Sequence, residues 1–307
     1  MNVSVLVPVY NSEKSLPLLV ERLAAVLNEN ADSFEVILID DGSRDASWKV
    51  IEELADEHIW LTGIDLARNY GQHNALLCGI RVASHEVIVT IDDDLQHPPE
   101  EIPKLLAQLS QGFDVVYGTP NTQQHGLLRN LASRITKTVL RGAMGVETAA
   151  KVSAFRGFRT SLRTAFSNYD SPYVSIDVLL TWATGRFAAV DVNHDPRRIG
   201  VSNYTPRKLV KHALTMMTGF STLPLQIASI AGLVSTAIGL LVLTYVLGSA
   251  LIRGRTVPGF AFLASTVALF SGVQLFALGM IGEYLAGMHF RSMGKPSYVI
   301  RSENHPD

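Results

Sequence analysis

Two long runs without a charged side chain place the strongest limit on how this chain can fold. No Asp, Glu, Lys or Arg occurs in residues 212–252 or in residues 256–282. A helix that spans a bilayer needs about 20 mostly apolar residues. We therefore expect two transmembrane helices, at about residues 225–247 and 260–281, joined by a short turn that contains Gly and Pro. A buried helical hairpin in a soluble protein is the alternative.

The charges that flank these runs predict the orientation in a membrane. Basic residues lie on the outer side of both runs: Arg207, Lys208, Lys211, Arg291, Lys295 and Arg301. Two more, Arg253 and Arg255, lie in the turn. Because positive charge favours the cytoplasmic side, we expect a two-span protein of the inner (cytoplasmic) membrane with both termini in the cytoplasm. The first residues lack the charged and apolar regions of a signal peptide, so we expect no cleavable signal peptide.

The charge is divided unevenly along the chain. Residues 1–114 carry 20 acidic and 7 basic side chains, a net charge of −13, whereas residues 115–307 carry 8 acidic and 19 basic side chains, a net charge of +11. An acidic half suits a site for a divalent metal, and a basic half suits phosphates or an anionic membrane surface. The alternative is that the charge asymmetry is ordinary variation of the surface and has no function. The basic half lacks the interleaved aromatic residues of a nucleic-acid groove, so we expect no nucleic-acid partner.

The first 118 residues alternate short β-branched runs with amphipathic stretches. The pattern predicts five strands: Val3–Val9, Phe34–Ile39, Trp60–Leu66, Val87–Ile91 and Val115–Tyr117. It predicts four helices between them: Ser12–Asn28, Ala46–Glu57, Gln72–Ala83 and Pro99–Gln111. Asp45 is a candidate N-cap for the second helix. This alternation is typical of an α/β domain in which a mostly parallel sheet carries helices on both faces.

Polar clusters follow four of the predicted strands, at residues 10–11, 40–43, 68–69 and 92–94. Ligands bind parallel sheets beyond the carboxyl ends of the strands. The fourth cluster is Asp92-Asp93-Asp94, and consecutive carboxylates repel one another unless a cation is bound. Side chains alternate in an extended segment, so Asp92, Asp94 and Gln96 are predicted to share one side. Oxygen ligands suit Mg²⁺ or Mn²⁺. A solvated acidic turn is the alternative.

Two further segments have the pattern of amphipathic helices. In residues 127–141 an apolar stripe lies beside a basic stripe, which suits a helix in the lipid headgroup layer. An ordinary helix packed on the sheet is the alternative. Residues 206–221 are predicted to form a similar juxtamembrane helix before the first span.

The clusters also carry a family resemblance. Val5–Asn11 (Val-Leu-Val-Pro-Val-Tyr-Asn), Ile39–Ser43 (Ile-Asp-Asp-Gly-Ser), Arg68–Gln72 (Arg-Asn-Tyr-Gly-Gln) and Asp92–Glu100 resemble motifs of the inverting GT-A glycosyltransferases of the dolichyl-phosphate mannose synthase type. The likeness continues through Arg198–Tyr204, Gly282–Gly287 and Lys295–Val299, so it covers nearly the whole chain. The bacterial two-span branch, which glycosylates undecaprenyl phosphate, is the most similar.

The resemblance implies the domain organisation. It implies a cytoplasmic GT-A (Rossmann-like) domain at residues 1–205, with a nucleotide and metal half at 1–118 and an acceptor half at 119–205. The two transmembrane helices fall within residues 222–287, and a cytoplasmic tail follows at 288–307.

The resemblance also implies a role for each matched position. The nucleotide-sugar residues are Pro8, Tyr10, Asn11, Glu13, Asp40, Asp41, Arg68, Gly71, Asp92 and Asp93. The metal ligands are Asp92, Asp94 and Gln96. Candidates for the acceptor phosphate are Arg129, Arg141, Arg197, Arg198, Ser202 and Lys208, each with interfacial anchoring as the alternative. The candidate catalytic residues are Asp94 and Asp177, the second with helix capping as its alternative.

The implied reaction is the metal-dependent, inverting transfer of a sugar from a nucleotide-sugar to polyprenyl (undecaprenyl) phosphate. A UDP-linked glucose or modified pentose or hexose is the favoured donor, and GDP-mannose is the alternative. A transferase with a soluble or protein acceptor and a catalytically silent membrane scaffold are further alternatives. A processive polysaccharide synthase would carry a Gln-x-x-Arg-Trp segment, and no tryptophan here follows an arginine. The resemblance is also compatible with a homo-oligomer.

Overall fold

A computed structural model describes residues 1–120, 151–171, 174–195, 223–253 and 259–304. The chain divides into two compact units: Met1–Lys211 with Gly294–Asp307, and His212–Met293. The amphipathic helices expected at 127–141 and 206–221 lie outside the described residues.

The described part of the first unit contains one sheet of eight strands. Its strands are β1 (Asn2–Val9), β2 (Ser33–Asp40), β3 (Leu61–Leu66), β4 (Val87–Thr90), β5 (Val115–Pro120), β6 (Arg156–Arg159), β7 (Phe187–Val192) and β8 (Ile300–Asn304). Their order is β7-β5-β6-β4-β1-β2-β3-β8. Strands β6 and β8 are antiparallel to their neighbours and all other pairs are parallel. The predicted mostly parallel sheet is confirmed.

The predicted helices are present with shifted ends. They are α1 (Leu16–Asn30), α2 (Ser47–Glu57), α3 (Gln72–Val82) and α4 (Ile102–Ser110), and α5 (Ile176–Ala183) follows β6. The N-cap of α2 is Ala46, so the prediction of Asp45 was wrong by one residue. The Asp45 carboxylate instead accepts hydrogen bonds from the backbone N–H of Ser47 at 3.1 Å and from its hydroxyl at 2.6 Å. An acidic side chain there still offsets the helix dipole.

The core lies on both faces of the central strands. Every residue of β1 from Val3 to Val9 is buried, as expected for a parallel strand covered on both sides. On α1, the side chains of Leu16, Leu19 and Leu23 are fully buried at helical spacing. Burying each one contributes about 1.5–3 kcal/mol. Packing on both faces therefore fixes where β1 ends, and with it the position of the polar cluster that follows.

The second unit consists, in its described part, of helices α6 (Leu223–Arg253) and α7 (Gly259–Ser292). Both are long and apolar enough to cross a membrane, with candidate spans at Leu225–Val246 and Leu269–His289. The second candidate span lies nearer the C-terminus than expected. At most 6% of either span is buried, and exposed apolar surface of this extent is typical of a surface that contacts a partner or lipid.

The two helices approach closely at one point. A Cβ added at Gly239 of α6 would lie 2.9 Å from Cζ of Phe270 on α7. Small residues at helix contacts in membranes allow this kind of approach. Thr236 and Thr244 of α6 donate hydrogen bonds to the carbonyls of Gly232 and Leu240, at 2.9 and 2.8 Å. These hydroxyls are therefore satisfied within the helix, which suits an apolar environment.

The chain returns to the first unit after α7. Residues 288–307 are expected from the sequence to be a tail, but Ile300–Asn304 form the edge strand β8, which pairs antiparallel with β3. The segment that follows the second candidate span is therefore part of the sheet.

Candidate active site

The carboxyl ends of β4, β1, β2 and β3 lie side by side at one edge of the sheet, because these strands are adjacent and parallel. All four predicted polar clusters therefore meet there. Hydrogen bonds join the clusters. The Asp93 carboxylate accepts from the backbone N–H of Tyr10 at 3.0 Å and from the Ser12 hydroxyl at 2.5 Å, which connects the ends of β4 and β1.

The backbone turns sharply after each of these four strands. One residue in each connection has a positive φ: Asn11 (+56°), Gly42 (+67°), Gly71 (+97°) and Leu95 (+60°). Asn tolerates this conformation, whereas for Leu it is strained. A Cβ at Gly42 would lie 2.6 Å from the backbone C of Arg68 and N of Asn69. Gly42 is therefore required where the loops after β2 and β3 touch.

The three consecutive carboxylates adopt different environments. The predicted extended register does not hold, because β4 ends at Thr90 and the chain turns at Asp93 and Asp94. Asp93 faces β1, and burial is the main cause that raises the pKa of its carboxyl. Asp94 accepts a hydrogen bond from the backbone N–H of Gln96 at 3.1 Å. Leu95 is 5% exposed and packs into the core, so its positive φ turns one side chain inward between two polar neighbours.

Asp92 is held from the neighbouring helix. Its Oδ1 accepts a hydrogen bond from Nε2 of Gln72, in the first turn of α3, at 2.6 Å. Asp92, Asp94 and Gln96 are all partly exposed at the sheet edge. Within the described part of the chain, no three His, Cys, Asp or Glu side chains form a complete metal cage. Two carboxylates and one amide oxygen nevertheless fit Mg²⁺ or Mn²⁺, which keep water and phosphate oxygens as further ligands.

The two aspartates after β2 face different loops. Asp40 accepts hydrogen bonds from the backbone N–H and the hydroxyl of Ser43, and burial raises the pKa of its carboxyl. Asp41 accepts from the backbone N–H groups of Tyr70 at 2.6 Å and Gly71 at 2.8 Å. Burial raises the pKa of Asp41 to about 6, although these two amides lower it. Asp41 therefore orders the loop that follows β3.

The residues predicted after β1 also make ordered contacts. Pro8 is buried within β1 opposite Ile39. The Asn11 side-chain oxygen accepts from the backbone N–H of Arg44 at 2.8 Å. The Glu13 carboxylate accepts from the N–H of Ala46, at the start of α2, at 3.0 Å. Tyr10 and Asn11 lie at the edge of the sheet, directly after β1. Glu13, in the turn before α1, connects that turn to the start of α2.

The loop after β3 presents a cation. The guanidinium of Arg68 lies over the Tyr70 ring, 4.5 Å from its centroid, and Arg68 is exposed. Gly71 has open space around its Cα. This loop therefore offers positive charge beside the carboxylates of the three neighbouring strand ends.

Asp177 occupies a buried ion pair. It lies in the first turn of α5 and bonds to Nη1 of Arg156 in β6, and it accepts a hydrogen bond from the hydroxyl of Tyr117 in β5 at 3.0 Å. Arg156 is 2% exposed and Tyr117 is fully buried. Burial and the Asp177 charge raise the pKa of Tyr117 well above its usual value. Arg156 is also opposite Thr90, at the end of β4.

Some residues that build this region were not predicted from the sequence. Gln72 and His73 begin α3, and the Nδ1 atom of His73 accepts from the backbone N–H of Ile176 at 3.3 Å. Arg156 and Tyr117 were missed because their partner is distant in sequence. The position of Gln72 as the last residue of the Arg68–Gln72 motif is the one signal that could have indicated its role. All six acceptor-phosphate candidates lie outside the described residues.

Comparison with known proteins agrees with this geometry. Residues 4–166 match Glycosyl transferase family 2, and the chain belongs to this family. It is 34% identical over 303 residues, 98% of this chain and 93% of the relative, to the undecaprenyl-phosphate 4-deoxy-4-formamido-L-arabinose transferase of Pectobacterium carotovorum. The transferase of the same name from Aeromonas hydrophila is 34% identical over 311 residues, 99% of this chain and 95% of the relative. The predicted resemblance to polyprenyl-phosphate glycosyltransferases is confirmed.

Solved structures share the fold. Glucosyl-3-phosphoglycerate synthase from Mycobacterium tuberculosis, in complex with Mn²⁺, UDP and glucosyl-3-phosphoglycerate, matches with a TM-score of 0.52 and 18% identity over 71% of this chain and 77% of that chain. Mannosyl-3-phosphoglycerate synthase from Rubrobacter xylanophilus matches with a TM-score of 0.51 and 17% identity over 71% and 72%. The predicted GT-A-type fold is confirmed.

Proposed function

We propose that this glycosyltransferase moves a sugar from a UDP-sugar to polyprenyl (undecaprenyl) phosphate. The observation that carries the proposal is the edge formed by β1–β4, where Asp92, Asp93 and Asp94 are all partly exposed and Asp93 is hydrogen-bonded to Tyr10 and Ser12 in the loop after β1. Relatives at 34% identity over nearly the whole chain use undecaprenyl phosphate and a modified pentose by name, so we infer the same acceptor and a UDP-linked pentose or hexose. GDP-mannose is the alternative donor.

The donor is proposed to bind across the ends of β1, β2 and β3. Asp40 and Asp41 would contact the base and ribose, and Tyr10, Asn11 and Glu13 would frame the base beside Pro8. Arg68 and Gly71 would line the diphosphate side of the pocket. A cation next to a partly exposed glycine suits an anionic ligand, because the glycine has no side chain to keep the ligand from the backbone.

Asp92, Asp94 and Gln96 would hold Mg²⁺ or Mn²⁺. A divalent ion bound there would offset the negative charge that develops on the leaving nucleoside diphosphate. The protein itself supplies orientation. The side chain of Gln72 on α3 donates a hydrogen bond to Asp92, and the backbone N–H of Gln96 donates one to Asp94. Both carboxylates are therefore ordered before a ligand binds.

The lipid phosphate is proposed as the nucleophile. One of its oxygens forms a bond to the anomeric carbon as the bond from that carbon to the diphosphate breaks, and the nucleoside diphosphate leaves with the electron pair. In-line attack inverts the anomeric centre. A phosphate monoester has a second pKa of about 6, so it is mostly dianionic at neutral pH and needs no strong general base. Arg129, Arg141, Arg197, Arg198, Ser202 and Lys208 remain the candidates for binding it.

Asp177 is proposed to orient the sugar or acceptor side of the site rather than to remove a proton. Its Oδ1 is already bonded to the Arg156 guanidinium and the Tyr117 hydroxyl, so this oxygen is engaged within the protein. Through this pair, α5 is attached to β5 and β6 beside the end of β4.

The membrane orientation is inferred from connectivity. The chain leaves the first unit, forms two apolar helices and returns to the same sheet as β8. Because two crossings return a chain to the side from which it started, we infer that both helices cross and that the two termini share one side. The basic flanking residues favour the cytoplasm for that side.

Lipid extraction tests the proposal directly. Membranes that contain the protein are incubated with Mn²⁺, undecaprenyl phosphate and a panel of radiolabelled UDP-sugars and GDP-mannose. We expect label in the lipid fraction from one UDP-sugar, together with release of UDP. Label from GDP-mannose alone would support the alternative donor. Absence of lipid label with every donor would reject the function.

A further inference from the structure

The last described strand of the chain touches the loop that carries Arg68. Strand β8 pairs with β3, but the register shifts so that Asp65 pairs with Ser302 and Leu66 pairs with Ile300. Arg301 is therefore the extra residue of a β-bulge. Bulges often occur next to active sites, where they redirect a side chain.

The redirected side chain makes two directed hydrogen bonds. Nη1 of Arg301 donates to the Asp65 carboxylate at 3.0 Å, and Nη2 donates to the backbone carbonyl of Ala67 at 2.6 Å. The backbone N–H of Ala67 in turn donates to the carbonyl of Val299 at 2.8 Å. Both polar backbone groups of Ala67, the residue directly before Arg68, are thus bound by the C-terminal segment.

The opposite end of this loop is held from β2. We define the donor loop as residues 67–71. Asp41 binds the backbone N–H groups of Tyr70 and Gly71, and Gly42 is in close contact with the backbone of Arg68. The β8 segment is therefore the third attachment of the donor loop, and it binds Ala67, the first residue of the loop.

Asp65 connects this attachment to the nucleotide-binding edge. It is 3% exposed and lies opposite Asp40 in the register of β2 and β3. Its Oδ1 has no hydrogen-bond partner among the described residues. The Arg301 side chain, in contrast, is 59% exposed. Because a half-exposed ion pair contributes little stability, the geometry of the two bonds matters more than their charge.

We propose that Arg301, in the strand that follows the second candidate membrane span, is a positioning residue that orders the donor loop for nucleotide-sugar binding. The inference rests on the proposed function, because the loop matters only if it binds the donor. It gives the C-terminal segment a role in the chemistry that its position after the membrane helices does not suggest.

Three variants of the full-length protein in lipid nanodiscs separate positioning from simple stability. Arg301→Met removes both hydrogen bonds. Arg301→Lys keeps the charge but cannot reach Asp65 and Ala67 together, because an ammonium group lacks the planar fork. The control is Asn304→Ala in the same strand, which removes a 3.3 Å contact with Asp56 far from the donor loop.

Hydrogen–deuterium exchange gives the first measurement. In Arg301→Met we expect faster exchange at the amides of residues 67–71, and in Asn304→Ala we expect no change there. Equal exchange of the donor loop in all variants would overturn the proposal.

Donor kinetics give the second measurement. Loss of a net hydrogen bond of about 1–1.5 kcal/mol predicts a rise of about fivefold to tenfold in the donor KM of Arg301→Met, and part of that rise in Arg301→Lys. The kcat and the KM for undecaprenyl phosphate should change less than about twofold. A merely structural role would instead lower kcat per total protein and leave KM unchanged, which would reject the assignment.

The double variant Asp65→Asn with Arg301→Met distinguishes two roles of Arg301: neutralising the charge of Asp65, and positioning the donor loop through Ala67. If Arg301 acts by holding Ala67, the raised donor KM persists in the double variant. Recovery of the wild-type KM would overturn the positioning role. A wild-type protein that binds UDP with Mn²⁺ but transfers no sugar would reject the proposed function alone, and the Kd for UDP would then replace KM in this test. Failure to bind UDP would reject both.

Discussion

The acidic side chains of the catalytic sheet lie in two contrasting regions. At the ends of β1–β4, the carboxylates of Asp40, Asp41 and Asp93 accept hydrogen bonds from amides and hydroxyls, and none makes a salt bridge within the described residues. At the start of α5, Asp177 is paired with the buried guanidinium of Arg156. These three carboxylates of the first region are therefore held by uncharged hydrogen-bond donors, whereas Asp177 is paired with a cation.

This difference distinguishes acids that could bind a cation, at the ends of β1–β4, from an acid that holds the structure together, at the start of α5. Burial raises the pKa of Asp40, Asp41 and Asp93, so the ionised first region is held at a free-energy cost that a bound cation would relieve. Asp177 gains nothing from a further cation. We therefore expect metal dependence to reside in the first region and packing dependence in the second.

The largest expected effect comes from the acids that we propose as metal ligands. Asp94→Asn removes the charge of one proposed ligand and should lower kcat by at least about 10³-fold, or about 4 kcal/mol of transition-state stabilisation. The matched control is Asp32→Asn, an exposed acid at the opposite end of β2 that bonds to the N-terminal amine. Sugar transfer and Mn²⁺ titration on purified protein provide the measurement. Activity of Asp94→Asn equal to that of the control would remove the metal assignment.

The second region should respond through stability. Arg156→Met leaves the Asp177 charge buried without its partner and should lower the free energy of unfolding by about 3–4 kcal/mol. The paired variant Arg156→Met with Asp177→Leu removes both charges, so most of that loss should be recovered. Denaturant titration followed by tryptophan fluorescence measures both. A paired variant as unstable as Arg156→Met would show that the comparison between the two regions is mistaken.

The sequence predicts the first region better than the second, for a physical reason. Strands β1–β5 are runs of β-branched and apolar residues between polar clusters, so local pattern is sufficient to find them. Strand β6 contains Arg156 and Arg159, which look solvent-exposed in sequence. Arg156 can be buried only because Tyr117 and Asp177 meet it in three dimensions, and that information is not local.

Two other features escaped prediction for related reasons. Strand β8 is an edge strand whose backbone pairs with β3, so its side chains carry no apolar pattern that would distinguish it from a tail. The extended register assumed for Asp92, Asp94 and Gln96 failed because the apolar side chain of Leu95 enters the core. That burial stabilises a positive φ which no propensity for Leu would predict.

The pH dependence of stability provides a smaller effect that sharpens the same comparison. Burial raises the pKa of Asp41 to about 6 in the folded protein, above the ordinary value of 3.8 for an aspartate. The folded state therefore binds this proton more tightly, and stability falls as pH rises from about 4 to about 6, by about 2–3 kcal/mol. His97 acts in the opposite direction, because burial lowers its pKa to about 4.

Comparison with Asp41→Asn isolates the contribution of the first region. The contribution of His97 is common to both proteins, so it cancels in the difference between their unfolding free energies. We expect the free energy of unfolding of the wild type, minus that of Asp41→Asn, to decrease from pH 4.5 to pH 7. Saturating Mn²⁺ with UDP should make this decrease smaller. A difference that is constant with pH would show that the Asp41 carboxyl is not perturbed.

The smallest expected effect tests whether the first region is a shaped site or only a charged one. Gly42→Ala places a residue with a Cβ at φ +67° and pushes that atom into the backbone of Arg68, so stability should fall by about 1–2 kcal/mol and the donor KM should rise. Gly112→Ala is the matched control, since its φ is +99° but its Cβ would meet only the flexible end of Arg186, at 3.0 Å. Denaturant titration should show a stability loss in both variants, larger in Gly42→Ala, and donor kinetics should show a raised KM in Gly42→Ala alone. If both variants keep the wild-type KM, the donor loop tolerates displacement, and charge rather than backbone shape determines how the first region binds its ligand.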